Sequence, residues 1–199
     1  MALVRFAEID SAAKTELVLN GYQKTPSSIL VEETPQYDPT HKFDIFLSHN
    51  YHDAQISRNR LLGTKKFLEQ FGYTVYVDWI IDYEMNRDDV NASTVELLRI
   101  RMRNSRCLLF LTSENMQQSK WMPWQIGYMD GRNSRVAIFP LARSANLEKF
   151  HGQEYLGAYP FVEAEMVEGT NTRLLWVSRN DGKYIGFQDW LAGKDPFAH

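Results

Sequence analysis

The sequence predicts an α/β domain in which a parallel sheet carries helices on both faces. Apolar runs of strand length recur at residues 43–48, 73–77, 107–111 and 135–140, and a stretch long enough for a helix separates each from the next. Crossovers of that length join parallel strands, whereas antiparallel neighbours need only a short turn. The stretch RCLLFLTSENMQQSKWMPWQIGYMDG, residues 106–131, organises the rest. It passes from an apolar run through the polar break Thr112-Ser113-Glu114 to a helix that Pro123 can open without losing a needed N–H. Open α/β sheets bind ligands at such strand ends.

Composition fits one ordinary globular domain of 199 residues, with 44% apolar and 24% charged residues. A net charge of −3 with scattered Lys and Arg gives no reason to expect nucleic acid. No apolar run approaches the roughly 18 residues of a membrane span. Glu8 and Asp10 come too early for a signal peptide, and the single cysteine, Cys107, excludes an internal disulfide. A cytoplasmic protein is expected, with Cys107 a small buried hydrophobe.

Residues 1–41 read as an N-terminal extension and linker, before a domain over 42–199. Residues 11–20 carry Ala12, Ala13, Leu17 and Leu19 at loosely helical spacing, with Gly21 as a stop. Residues 25–40, with Pro26, Pro35 and Pro39, read as an extended linker that lays the apolar patch 29–31 on the domain. FDIFLS is the first long strand. Residues 54–71 follow as a helix with Leu61, Thr64, Leu68 and Phe71 on one face and Gly72 at its end. After the strand at 73–77 comes a long polar loop, residues 78–90. Asn91 is a plausible cap for a helix that buries Val95, Leu98 and Met102. From about residue 141 the pattern turns β-rich. One helical turn is expected at 147–151, and strands at 159–167 and 173–178. The turn Asn180-Asp181-Gly182 precedes a short strand, and a last helix covers 188–192.

Chemistry-bearing residues collect where the first three strands end. Ser48 and His49 close the first, Asp53 follows, and Asp78 and Trp79 close the second. After the third, Trp121 and Trp124 crowd the helix entrance, and Gln125 lies four residues after Trp121 on the same face. No glycine-rich phosphate loop is present. His49 and His52 lack further ligands for a metal, and Ser48 lacks the G-x-S-x-G turn of a hydrolase nucleophile. No metal is expected. Core packing and loop anchoring are the bland readings of the tryptophans and of Asp78.

Residues 43–140 resemble the TIR (Toll/interleukin-1 receptor) domain family. FDIFLSHNYHD is similar to its first box, YTVYVDW to its second strand, and residues 78–90 to its BB loop. NRDDVNASTVELLRIRMRNSRCLLFLTS and SKWMPWQIGYMDG look like the second helix, third strand and third helix. The tail EYLGAYPFVEAE…LLWVSRNDGKYIGFQDWL resembles compact prokaryotic TIR proteins of antiphage defence, including Thoeris-type ones.

The resemblance implies a flavodoxin-like three-layer sandwich with a central parallel sheet, an N-terminal extension and a C-terminal β-rich elaboration. It also implies NAD as substrate rather than cofactor, with cleavage of the nicotinamide–ribose bond by hydrolysis or cyclisation. Ser48, His49, Asp53, Asp78, Trp79 and Trp121 would line the nucleotide site, and Gln125 takes the catalytic position. Enzymatic relatives carry glutamate there, four residues after the helix tryptophan. A carboxylate suits that place because the transition state is oxocarbenium-like and the leaving nicotinamide is neutral. Gln125 keeps the shape without the charge. It stands open to three readings: an engineered Glu→Gln change, a natural non-catalytic variant, or a member that uses another group. The competing class is an adaptor that acts by TIR–TIR assembly through the 78–90 loop. Self-association and a sensor or effector partner are the contacts the family implies.

Overall fold

The computed structural model describes residues 2–33, 38, 40–50, 53, 55–78, 92–113, 121–143 and 154–199. In chain order its elements are β1 (Val4–Arg5), α1 (Phe6–Leu19), α2 (Pro26–Glu32), β2 (Phe43–His49), α3 (Arg58–Glu69) and β3 (Val75–Val77). There follow α4 (Ala92–Arg103), β4 (Ser105–Thr112), α5 (Trp121–Asn133), β5 (Val136–Ala142), a 3₁₀ turn over Glu154–Ala158, β6 (Phe161–Met166), β7 (Arg173–Ser178), β8 (Tyr184–Gly186) and α6 (Phe187–Leu191).

The sheet runs β3-β2-β4-β5-β6-β7-β8, and β1 pairs with the far end of β5. The four strands expected from the sequence are adjacent and mutually parallel. Counted from β2, the first five long strands have the 2-1-3-4-5 order of flavodoxin-like folds. β6 joins β5 in parallel at Phe161 and Ile138, and β7 and β8 then add antiparallel strands. The C-terminal β-rich segment therefore extends the same sheet.

Alternation along the strands builds two cores. Ile45, Leu47, Cys107, Leu109, Leu111, Ala137 and Phe139 face α1, α2 and α3, and Phe46, Leu108, Phe110 and Ile138 face α4 and α5. All are buried, and each large apolar side chain contributes roughly 1.5–3 kcal/mol on leaving water. Burial pushes the Cys107 thiol well above its ordinary range, which leaves it a packed, protonated side chain.

The N-terminal residues are part of this packing. α1 begins at Phe6, five residues earlier than the periodicity suggested, because Phe6 and Ile9 enter the core ahead of Ala12 and Ala13. The Glu8 carboxylate accepts from the Arg5 N–H at 2.9 Å and closes the helix start. The stretch expected to be extended, residues 25–40, contains α2: the Thr25 hydroxyl accepts from the Ser28 N–H at 3.1 Å, and Pro26 takes the first helical position. Ile29 and Leu30, from the patch expected to touch the domain, are buried in the core.

Other boundaries moved for identifiable reasons. α3 starts at Arg58 because Ser57 caps it, accepting from the Arg60 N–H at 3.3 Å. Gly72, at φ +86°, lies beyond the end of α3 at Glu69. α5 starts at Trp121, two residues before Pro123, which still falls in the first turn where no intrahelical donor is lost. β5 runs through Pro140 to Ala142. The Asn91 cap, the turn at 147–151 and most of the 78–90 loop lie outside the described residues. No helix among the described residues is long and apolar enough to cross a membrane.

Candidate functional site

The strand order reverses between β2 and β4, and the C-terminal ends of these strands with β3 form the candidate site. Side-chain parity decides which face each terminal residue joins. Ser48 continues the row of Phe46, and Asp78 the row of Tyr76, so both emerge on the α4/α5 side of the sheet. On α5 the buried stripe is Met122, Gln125, Ile126 and Met129, spaced i, i+3, i+4 and i+7. Gln125 is the polar member of that stripe.

These three side chains meet. The Ser48 hydroxyl donates to Gln125 Oε1 at 2.5 Å, and Gln125 Nε2 donates to Asp78 Oδ2. They are 0%, 2% and 7% exposed for Ser48, Gln125 and Asp78, so the contacts form in a low-dielectric setting where a mismatch would be costly. The amide NH₂ faces the Asp78 carboxyl oxygen, and its carbonyl is matched by the Ser48 hydroxyl as donor. The Asp78 N–H also continues the β2–β3 ladder to the Leu47 carbonyl at 2.9 Å, which holds its Cα in register.

Beneath this trio, burial and then the neighbouring Asp78 carboxylate push the Tyr76 phenol upward, while Arg101 opposes them. Arg101 is itself buried on α4, 5.6 Å from the Tyr76 ring centroid, and donates to the Asp38 carbonyl at 2.7 Å.

Asp53 sits on the other side of the switch point. Its Oδ2 accepts from the Ser113 N–H at 3.0 Å and the Ser113 hydroxyl at 2.6 Å, and its Oδ1 accepts from the Gln55 N–H at 3.0 Å. The loop after β2 is thereby fastened to the end of β4. Ser113, which the sequence marked only as part of a polar break, is the partner that fixes Asp53. His49 is half-buried at the end of β2, in register with Leu111. The structure thus joins Ser48, Asp78 and Gln125 directly, while Asp53 joins Ser113 and His49 stands at the end of the same strand as Ser48. Trp79 and His52 lie outside the described residues, as does the side chain of Trp121. Trp124 is half-buried, with Tyr128 at 6.0 Å and the Arg99 guanidinium 6.0 Å from its ring. Among the described residues, no group of three or more His, Cys, Asp or Glu is disposed to hold a metal.

A groove of about 510 Å³ lies at the opposite end of the sheet, lined by Phe43, Ser105, Arg103, Arg106, Arg132 and Arg135 among others. It sits at strand N-termini, and its arginines are engaged by the protein. Arg106 meets Asp44 at 2.9 Å, Arg135 meets Asp195 at 2.9 Å, and Arg132 donates to the Arg103 carbonyl at 2.7 Å. The switch-point end is the better candidate.

Comparison with known proteins identifies the family. Residues 46–139, from β2 to β5, match the family model described as "Thoeris protein ThsB, TIR-like domain". A protein of Bacillus cereus (strain MSX-D12), named "Probable 3' cyclic ADP-D-ribose synthase ThsB'", is 40% identical over 164 residues, 82% of this chain and 83% of that protein. The chain belongs to the ThsB family of TIR-like proteins. A second relative, "Putative cyclic ADP-D-ribose synthase TIR2" of Cytobacillus dafuensis, is 25% identical over 87 residues, 43% of this chain and 22% of that protein. The ThsB family region coincides with the strands and helices that carry Ser48, Asp78 and Gln125.

Proposed function

We propose that this ThsB-family protein is an NAD-cleaving enzyme of bacterial antiphage defence that breaks the nicotinamide–ribose bond and closes the remainder into a cyclic ADP-ribose. The observation that carries this is 40% identity, across four fifths of both chains, to the protein named "Probable 3' cyclic ADP-D-ribose synthase ThsB'". The buried polar trio at the switch point supplies chemistry that suits the reaction. When the bond between C1′ and the pyridinium nitrogen breaks, its electron pair neutralises the nicotinamide and positive charge passes to the ribosyl group. An internal hydroxyl then forms the new C1′–O bond and gives up its proton, which closes the ring; capture by water instead gives ADP-ribose. What the enzyme must supply is negative potential near the ribose and exclusion of water.

Asp78 brings the charge, Gln125 an amide that can hydrogen-bond ribose hydroxyls, and Ser48 the hydroxyl that sets the amide's direction. Gln125 stands where enzymatic TIR relatives carry glutamate, and an amide there lowers turnover by about 10² to 10³ without abolishing binding. Assembly through the 78–90 loop, together with a sensor or effector partner, completes the active state. The test is to incubate the concentrated protein with NAD, measure binding calorimetrically, and follow nicotinamide and the nucleotide product by chromatography with mass detection. Binding with slow nicotinamide release is expected. Binding without release, even when concentrated, would favour the assembly-adaptor reading, and absence of both would reject an NAD site.

A further inference from the structure

The contact between Gln125 and Asp78 has a consequence for charge. A glutamate at position 125, in the same rotamer, would point a carboxylate oxygen at Asp78 Oδ2, where the amide NH₂ now donates. Two carboxylates within hydrogen-bond distance in a buried site do not both ionise; they share one proton and carry one charge between them. The Gln125–Asp78 pair and the singly protonated pair of a Gln125→Glu variant therefore have the same shape, the same hydrogen bond and the same net charge of −1. They differ only in where the charge can go. We propose that residues 78 and 125 form one charge-sharing pair, and that in this chain the Gln125 amide fixes the pair's single negative charge on Asp78.

Asp78 then holds the pair's charge in this chain, and Ser48 completes the unit by donating to the far side of Gln125 at 2.5 Å. The surroundings favour a pair over two independent groups. On α5 the neighbours of Gln125 along the buried stripe are Met122, Ile126 and Met129, which offer no counter-charge. Among the described residues, the elements around the pair also carry His49 and Asp44 on β2, Tyr76 on β3, Glu96, Arg99, Arg101 and Arg103 on α4, Arg106 and Cys107 on β4, Tyr128, Asp130 and Arg132 on α5, and Asp53 after β2; of these Tyr76, Arg101, Cys107 and Asp53 are buried. Arg101 donates to the Asp38 carbonyl, and Asp53 is held by Ser113 and Gln55.

The catalytic meaning of the pair rests on the NAD-cleaving reading, but the pair is testable without NAD. The experiment is thermal melting from pH 5 to pH 8 of the unaltered protein, Gln125→Glu, and Gln125→Glu with Asp78→Asn. In Gln125→Glu the folded pair holds a proton that the unfolded chain would release at ordinary carboxylate pH. That stability is present at low pH and lost as pH rises through the folded value. The gap below the unaltered protein should therefore widen by about 4 °C or more between pH 5 and pH 8. The double variant restores one carboxylate facing one amide, with their positions exchanged, and should remove the pH-dependent gap. If Gln125→Glu fails to fold at neutral pH, folding at pH 5 or together with Asp78→Asn supports the pair, and failure under both conditions overturns it. Parallel melting of Gln125→Glu and the unaltered protein across the range would also overturn it. A catalytic readout is added: with Gln125 retained, Asp78→Asn should remove the residual nicotinamide release, because no charge is left in the pair. Loss of release in every variant with the melting pattern intact would reject the NAD reading and leave the pair standing.

Discussion

The carboxylate of Asp53, in the loop after β2, accepts both the backbone N–H and the hydroxyl of Ser113 at the end of β4. This bridge spans the point where the strand order reverses, so it sets the distance between the two walls of the candidate site. Asp53→Ala should leave three donors without their acceptor, namely the Ser113 N–H, the Ser113 hydroxyl and the Gln55 N–H. A loss of about 2–4 kcal/mol is expected in urea unfolding, against about 1 kcal/mol for Ser113→Ala, which removes one bond and its donor together. Equal effects of the two substitutions would show that Asp53 does not fasten the loop.

α1 and α3 touch at a point that only glycine permits. A Cβ on Gly63 would lie 2.2 Å from the Ile9 backbone carbonyl oxygen, and a carbonyl inside a helix cannot withdraw. Gly63→Ala should therefore push α1 off α3 and lower stability by about 1–3 kcal/mol, a fall of roughly 2–10 °C in melting temperature. An unchanged melting temperature would mean that the N-terminal helix does not pack on α3 as described.

Glu163 on β6 is a buried acid. Burial raises its pKa above the ordinary 4.5, and a hydrogen bond with Ser178 only partly opposes this. The folded state then holds the proton more tightly than the unfolded chain. The stability Glu163 contributes is present below the ordinary value and falls as pH rises through the raised one. Glu163→Gln removes that titration, so its stability relative to the unaltered protein should grow from pH 4 toward pH 8. A difference that stays constant with pH would contradict the raised value.

Much of this was legible from the residues. β2 to β5 announced themselves because strands buried on both faces write unbroken apolar runs, and because helix-length crossovers leave only a parallel arrangement. Ser48, Asp78 and Gln125 were singled out separately, two by standing at strand ends and one by its spacing from Trp121. That they form a single hydrogen-bonded unit depends on side-chain parity across three elements, and one-dimensional spacing does not carry it. Ser113 escaped for the same reason: its significance is a contact with Asp53, sixty residues earlier in the chain. α2 was obscured by reading Pro26 as a breaker, although Thr25-Pro26 is also a cap followed by a first helical position. The start of α1 was set back because Phe6 and Ile9 look like an unremarkable terminus until α3 is there to cover them.

The role of position 125 is read from the rate of nicotinamide release from NAD by the unaltered protein and by Gln125→Glu, at equal concentration and under conditions where the protein is assembled. Glutamate and glutamine are nearly isosteric, so packing around Met122 and Ile126 should hold. The substrate's ground-state charge sits mainly on the pyridinium ring, so KM should change little. The transition-state charge sits on the ribose, where an oxygen that can carry part of the pair's charge acts most strongly. For Gln125→Glu, kcat should rise by about 10² to 10³ with KM within a few-fold. Equal rates for the two forms would contradict it, because position 125 would then not face the reacting ribose.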